Sequence, residues 1–376
     1  MRQSGTHENP DKKERLPKQA LRQKVRILAV IAVVSLLIAF TAVIASVFLW
    51  LYDENQGIAA VEFEKSAQTS LNAGSGSVYT QAEVDALVSN VKKKAVAEAT
   101  AKMLENIQNM LEKDSDAMDM IRGLFPQKIV VFNANKYYFL PIDSSLKADT
   151  YLDANFKQDA KGYMSYSENG KVISHMGVDV SRFQGDIDWA SLKKAGVEYA
   201  IIRVGLRGYG TGKIVVDDHC QNNIKNAVAN GLKVGVYFYS AAISQAEAEE
   251  EAQCALDQIK GFQISYPVYL DIEESTSATD RTKGLTAADH TAIAEAFLKK
   301  IADAGYQPAI YGNLKTFTLM LDLKQLEKYP KWLASYSLPI YYPYAYESIQ
   351  YTENGAIDGI KGDVDLNISF KDYSSK

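Results

Sequence analysis

Short β-forming segments alternate with amphipathic helical segments between residue 176 and about residue 330 of this 376-residue chain. Glycines stand where four of the helices would end, and Ser244 and Thr286 stand where two of them would begin. Strands that alternate with helices at this spacing form parallel βα units. Five such units fit, and the remaining stretch holds strand-like pieces with little room for helices. The sequence therefore predicts an α/β fold, an irregular TIM-like (β/α)5β3 barrel over residues 176–376.

The apolar segment YPVYLDIEES, residues 266–275, ends in three carboxylates within four residues. A buried charge is costly unless it is paired, solvated or used. In β/α barrels the catalytic groups lie at the carboxyl ends of the strands. Acids recur at these predicted positions: Asp179 ends the first strand, Asp271 and Glu273 end the fourth, and Asp365 lies in the last. If the fourth strand continues through Glu273, side-chain alternation places Asp271 and Glu273 on one face. We expect the four acids to converge at one mouth; solvated strand ends are the alternative.

Residues 27–51 form a run of 25 residues without a single charge, and the basic segment DKKERLPKQALRQKVR precedes it. A helix of this length measures about 37 Å, enough to cross a hydrocarbon core of about 30 Å. A cleaved signal peptide is the alternative, but its apolar region is usually shorter. We therefore predict a single-pass transmembrane helix in the cell membrane, with a cytoplasmic basic tail at 1–26 and an extracellular remainder.

Three further segments are predicted between the transmembrane helix and the barrel. Residues 52–127 read as a flexible linker, ending near NAGSGS, and a helical stalk whose apolar stripe suggests self-association. Residues 128–175 read as a β-rich neck that contains a hairpin, because two β-forming runs flank Asn133–Asn135. None of these three segments, the linker, the stalk and the neck, carries a recognisable catalytic pattern.

The composition limits the cofactors and partners. The four histidines are scattered and show no metal-ligand spacing, so we expect neither a metal nor any other cofactor. The formal net charge of -5 argues against a nucleic-acid partner. Cys220 and Cys254 are the only cysteines; either a disulfide or two free thiols would fit an extracellular chain.

Several segments, in this order, resemble glycoside hydrolase family 25, the N-acetylmuramidase-type lysozymes. The resemblance covers about residues 176–370 and rests on agreement in both order and spacing. The matching segments are MGVDVSRFQGDIDW, AIIRVG, GVYFYS, YLDIE, PAIYGN, WLASY, IQYT and GDVDLN. The family has an irregular barrel of five βα units and three further strands, so the resemblance implies the fold that the alternation predicts.

The resemblance also implies roles for individual residues. The family's first-strand aspartate corresponds to Asp179, its DxE pair to Asp271 and Glu273, and its late aspartate to Asp365. Glu273 takes the position of the proposed general acid. Positions near the sugar cleft correspond to Tyr239, Tyr311, Trp332 and Gln350.

Aromatic residues crowd the late strands and loops, where they could stack on sugar rings or pack in the core. Tyr336 is predicted to bind substrate; the others are Tyr341, Tyr342, Tyr344 and Tyr346.

The chain departs from the family at one segment. Many members carry a KxTEG-like segment after the second strand, whereas residues 203–208 here read RVGLRG. Any role of that glutamate therefore does not transfer. We interpret the glycine-rich stretch 203–213 as a mobile loop at the barrel mouth, with Arg207 as a candidate contact for an acidic peptide stem.

The resemblance implies hydrolysis of the β-1,4 bond between N-acetylmuramic acid and N-acetylglucosamine in peptidoglycan. Such hydrolysis needs an acid and a group that stabilises the positive sugar carbon. With Glu273 as the acid, either Asp271 orients or deprotonates the acetamido group, or Asp179 or Asp365 attacks or activates water. A non-catalytic wall-binding protein and a hydrolase of chitin-like polymers are the alternatives. The predicted tether and stalk favour local wall remodelling.

Overall fold

The computed structural model describes residues 81–112, 117–275, 277 and 279–373. The chain divides into two units, residues 1–120 and 121–376. The predicted tail 1–26 and transmembrane helix 27–51 lie outside the described residues. Within the described parts of the chain, no helix is both long enough and apolar enough to span a bilayer.

The described part of the first unit is helical. Helix α1 spans Gln81–Glu112, and helix α2, Ala117–Leu124, crosses the boundary between the units. The stalk predicted within 52–127 is therefore helical where the structure describes it. Several apolar side chains of α1, including Leu87 and Leu104, are exposed to solvent. Self-association through the stalk stays a prediction.

The second unit begins with the predicted hairpin. Strands β1, Lys128–Asn133, and β2, Lys136–Pro141, pair antiparallel. Ala134 and Asn135, the two residues of the turn, both have positive φ angles, as a tight type I′ hairpin requires. Three short antiparallel strands complete the segment before the barrel: β3 Phe156–Gln158, β4 Met164–Glu168 and β5 Lys171–Val172.

Eight strands then close into a barrel-like sheet, which confirms the α/β class. The elements are β6 His175–Val180, α3 Trp189–Lys194, β7 Tyr199–Arg207, β8 Ile214–Val216, α4 Cys220–Ala229, β9 Lys233–Ser240, α5 Gln245–Ile259, β10 Val268–Ile272, α6 Ala287–Asp303, β11 Pro308–Asn313, a π-helix Thr316–Met320, β12 Lys331–Ala334, β13 Ser348–Gly355 and β14 Val364–Ser369.

Around the barrel the strand order is β6, β14, β13, β12, β11, β10, β9 and β7, and β7 pairs with β6 to close the ring. Strand β8 forms a hairpin with β7 outside the ring. Strand β14 is antiparallel to both of its neighbours, and every other adjacent pair in the ring is parallel.

Alternation along β10 explains how an apolar strand can end in acids. Val268, Leu270 and Ile272 belong to the main hydrophobic core. Tyr269 belongs to a separate cluster that also contains Trp332. Because side chains alternate, Asp271 shares its face with Tyr269. The strand thus buries one face in the core and presents an aromatic residue and then a carboxylate on the other.

The glycine-rich stretch 203–213 forms the end of β7, a turn and the approach to β8. The expectation for Arg207 was wrong. Its guanidinium is buried and donates hydrogen bonds to Glu251 at 2.7 Å and to Glu250 at 3.0 Å. Because that charge is already paired in the interior, Arg207 does not present it to a peptide stem.

Both cysteines, which lie in the described part of the chain, are free thiols. Cys220, at the start of α4, is buried, and Cys254 in α5 is partly buried. Of the two alternatives left open by the sequence, the structure has the free thiols, and Cys220 serves as a small apolar core residue.

Candidate active site

The four predicted acids line one cavity of about 440 Å³. Asp179 lies near the end of β6, Asp271 near the end of β10, and Glu273 directly after β10, which stops at Ile272. Asp365 lies near the start of β14. Because β14 runs antiparallel to β6, its start meets the end of β6, and Asp365 pairs with Asp179 in the register. The convergence that the strand-end rule predicted is present.

Asp179 is buried and well supplied with hydrogen-bond donors. Its Oδ2 accepts hydrogen bonds from the amides of Gln350 at 2.9 Å and Asn367 at 2.8 Å. Burial raises the pKa of Asp179, and these donors oppose that rise because they favour the ionised form. Trp332 Nε1 donates to Asn367 Oδ1 at 2.9 Å, which fixes the orientation of that amide.

Asp365 carries the proton of this pair. Burial and the nearby charge of Asp179 raise the pKa of Asp365 to about 9, so its carboxyl is protonated at neutral pH. It also shares a hydrogen bond with Asp179, in which the protonated Asp365 must be the donor.

Asp271 is buried with an unused acceptor. Among the described residues, its Oδ1 has no hydrogen-bond partner. Burial raises the pKa of Asp271 well above its ordinary value, and Glu273 and Asp179 raise it further, while the Arg203 guanidinium opposes the rise. A carboxyl oxygen without a partner beside the cavity can accept a hydrogen bond from a bound molecule.

Glu273 is held by two tyrosines. Tyr239 Oη donates to the carboxylate at 3.3 Å, and Tyr209 Oη donates to the backbone carbonyl of Glu273 at 3.1 Å. Burial raises the pKa of Glu273; the Tyr239 hydrogen bond opposes the rise, and the charges of Asp179 and Glu353 add to it. A carboxyl group with a raised pKa beside ionised acids is the arrangement that a general acid needs.

All five predicted substrate-binding residues line the same cavity. Tyr311 and Tyr336 both donate to Gln350 Oε1, at 2.8 and 2.7 Å, so the Gln350 amide is locked between them and Asp179. Tyr336 is half exposed, whereas Trp332 is buried in the floor. Tyr239 completes the set.

Residues 178–360 match the family model described as glycosyl hydrolases family 25. The uncharacterised protein YegX of Escherichia coli (strain K12) is 30% identical over 201 residues, which cover 51% of this chain and 68% of YegX. The chain belongs to glycosyl hydrolase family 25. It is therefore a glycoside hydrolase of the muramidase family, as the motifs predicted.

Two further similarities accompany this family 25 assignment. Lysozyme M1 of Streptomyces globisporus is 27% identical over 201 residues, 51% of this chain and 66% of that protein. The structure of the modular autolysin LytC from Streptococcus pneumoniae, in complex with a synthetic peptidoglycan ligand, gives a TM-score of 0.48 at 22% identity. That match covers 64% of this chain and 56% of LytC.

Sequence reasoning missed several residues that line the cavity or hydrogen-bond to its acids. Asn367 follows Asp365 by two positions on β14, so strand alternation alone places it on the same face. Tyr237 precedes Tyr239 by two positions on β9, so alternation places these two side chains on one face as well. Phe183, Gln184 and Arg203 lie within the family-like segments but were not singled out there. No sequence signal marked Tyr209 or Glu353 as part of the site.

The remaining aromatic residues of the late segments lie elsewhere. Tyr342, Tyr344 and Tyr346 are buried in the main core, and Tyr341 lies beneath the guanidinium of Arg122. Tyr342, Tyr344 and Tyr346 thus pack in the core, which is one of the two alternatives that the sequence left open. In the described part of the chain, no group of His, Cys, Asp and Glu side chains is placed to hold a metal ion.

Proposed function

We propose that this chain is an N-acetylmuramidase that cleaves the β-1,4 bond between N-acetylmuramic acid and N-acetylglucosamine in peptidoglycan. The observation that carries the proposal is the convergence of Glu273 with Asp179, Asp271 and Asp365 in one cavity. Membership in family 25, relatives named lysozymes and the eight-stranded barrel-like sheet support the proposal, and we propose that this sheet is the irregular TIM-like (β/α)5β3 barrel of the sequence prediction.

Glu273 acts as the general acid in this proposal. Because burial and neighbouring acids raise its pKa, the carboxyl keeps a proton at a pH where an ordinary glutamate has lost it. That proton passes to the glycosidic oxygen as its bond to the sugar carbon breaks. The Tyr239 hydroxyl stabilises the glutamate that results.

Asp271 and Asp179 stabilise the positive charge that develops on the sugar carbon. The unpartnered Oδ1 of Asp271 accepts a hydrogen bond from the acetamido N–H, which turns the acetamido oxygen towards the sugar carbon and makes the substrate its own nucleophile. Asp179, whose Oδ2 accepts hydrogen bonds from two amides that favour its ionised form, supplies negative charge to the cavity in this proposal.

The location of the enzyme is part of the proposal. A transmembrane helix at 27–51, with residues 1–26 in the cytoplasm, holds the barrel at the outer face of the cell membrane, and a self-associating stalk positions it for local wall remodelling. Deletion of residues 1–52 should release the protein from the membrane fraction. A deletion variant that still sediments with membranes would remove the tether from the proposal.

Reducing-end analysis of digested peptidoglycan tests the activity. Muramic acid ends support the proposal, glucosamine ends indicate the other glycosidic bond, and binding without release indicates a wall-binding protein.

Glu273→Gln should lower the rate by at least about a hundredfold, the usual contribution of a general acid, while the fold is retained. Glu249→Gln, an exposed acid of α5, is the matched control.

A further inference from the structure

Phe183 is an exposed aromatic residue in the wall of the catalytic cavity. It follows β6, which ends at Val180, and it lines the same cavity of about 440 Å³ as the four acids. Its side chain is nevertheless 74% exposed, whereas Trp332 in the floor of that cavity is 2% exposed. A lone apolar residue on an open surface is ordinary, but pockets that bind small molecules combine aromatic side chains with a few polar groups. The place of Phe183 in the cavity wall therefore favours a role in ligand binding.

Hydrogen bonds fix the backbone that carries this ring. Residues Arg182–Gln184 form one turn of 3-10 helix with a capping box. Ser181 Oγ accepts a hydrogen bond from the Phe183 N–H at 3.2 Å, and the Ser181 N–H donates to Gln184 Oε1 at 2.9 Å. The Arg182 N–H donates to the buried carboxylate of Asp217 at 3.0 Å. Little backbone freedom is left to lose when a ligand binds, so Phe183 is preorganised.

Arginine side chains support the ring itself. The Arg203 guanidinium lies 5.0 Å from the centroid of the Phe183 ring, and a buried ion pair with Asp217 at 2.8 Å holds it there. The Arg182 guanidinium lies 5.5 Å from the same centroid. A cation over an aromatic face is attracted by the negative charge of that face, which orients the ring. Because the side chain is still 74% exposed, most of the ring surface stays open to a ligand.

The remainder of the described cavity wall is mostly polar. Apart from Phe183, Val180 and Leu206, every lining side chain carries a nitrogen or oxygen atom, and Val180 is only 1% exposed. A pyranose ring has hydroxyl groups around its edge and C–H groups on its two faces. The polar side chains match the edge of such a ring, and the flat face of Phe183 matches its C–H face.

We propose that Phe183 is a stacking platform for a sugar ring of the glycan at the mouth of the catalytic cavity. The ligand class is a strand of β-linked acetamido sugars, and the inference rests on the proposed function of the cavity. A stacked sugar covers ring surface that water otherwise contacts, so Phe183 stabilises the bound substrate. It holds no proton and supplies none, so its effect belongs to binding and not to the bond-breaking step.

Calorimetric titration of the full-length protein with a soluble four-sugar fragment of peptidoglycan tests the proposal. Glu273→Gln is used as the background so that the fragment is not consumed. Phe183→Ala removes the ring and should weaken binding about tenfold, as expected for the loss of one stacked apolar face. Phe183→Trp keeps a flat aromatic face and should restore the affinity. Leu152→Ala is the matched control, because this apolar side chain is 64% exposed but does not line the cavity.

Two further measurements separate stacking from other roles. Phe183→Leu keeps an apolar side chain without a flat face and should bind the fragment as weakly as Phe183→Ala. In the active background, Phe183→Ala should raise KM for the fragment about tenfold and change kcat far less. Thermal unfolding checks that the variants keep the fold, which we expect because the side chain is exposed.

Equal affinity of Phe183→Ala and the Leu152→Ala control overturns the proposal, and so does full recovery of binding in Phe183→Leu. A fall in kcat at constant KM also overturns it, because the ring would then act on the bond-breaking step. Failure of the proposed function looks different: the wild-type protein would release no muramic acid ends from peptidoglycan, whatever the Phe183 variants do to binding of the fragment.

Discussion

Asp365 and Asp179 face each other across the antiparallel pair of β14 and β6, and their carboxyl groups share a hydrogen bond. Gln350 and Asn367 both donate to Asp179, whereas burial and the charge of Asp179 raise the pKa of Asp365 to about 9. Asp365 is therefore protonated at neutral pH. Its raised pKa leads to a measurable pH dependence of stability.

Asp365→Asn should flatten the pH dependence of stability. Between the ordinary aspartate value of 3.8 and about 9, folded Asp365 holds a proton that the unfolded chain has released. The free energy of unfolding of the wild type thus falls as the pH rises through this window. Asparagine cannot titrate, so the Tm of the variant relative to wild type should increase from pH 4 to pH 9. Asp363→Asn, an exposed neighbour, is the control; equal pH slopes for Asp365→Asn and wild type would contradict the proton assignment.

Tyr239→Phe should move the alkaline limb of the activity profile to higher pH. The tyrosine hydroxyl donates to the carboxylate of Glu273 and so favours its ionised form. Without it the pKa of Glu273 rises further, and the acid stays protonated to higher pH. The pH dependence of kcat/KM on a soluble fragment measures this shift. A limb displaced to lower pH would show that Glu273 is not the acid that the profile reports.

Tyr209→Phe should lower kcat severalfold and leave KM nearly unchanged. Tyr209 holds the backbone carbonyl of Glu273 at 3.1 Å, just beyond the end of β10, and Arg281 in turn donates its backbone N–H to Tyr209. Loss of this hydroxyl loosens the position of the acid without removing a substrate contact. Steady-state kinetics give the two constants, and Tyr306→Phe is the control. A rise in KM at constant kcat would instead place Tyr209 in substrate binding.

Arg207→Met should destabilise the protein by about 3–5 kcal/mol, because it leaves Glu251 buried without its charged partner. Lys299→Met removes one partner of an exposed pair with Asp303 and should lower the stability far less, because water and salt screen an exposed ion pair. Denaturant unfolding of the two variants measures both values. A loss of similar size in each would mean that the Arg207 pair is no more important than a surface ion pair.

Much of the site followed from local patterns. The strand-end rule brought Asp179 and Asp271 together, because the carboxyl ends of parallel strands in a closed sheet meet at one mouth. Asp365 joins them because β14 runs antiparallel, so that the start of this strand meets the end of β6. The family motifs added Trp332 and Gln350. The sequence did not predict the environment of Arg207, because an arginine at the end of a strand gives the same local pattern whether it faces solvent or a buried glutamate 44 positions later.

The order of strands, helices and acids along the chain determined the α/β barrel, the family and the four carboxylates, because hydrophobic periodicity and motif spacing are local properties. Tertiary structure alone decided which acid keeps a proton, since that depends on burial and on amide donors such as Asn367 and Gln350 that arrive from other strands. It also decided that the tip of the hairpin lies beside Glu274, because Asn133 and Glu274 are 141 residues apart and only folding brings their side chains into contact.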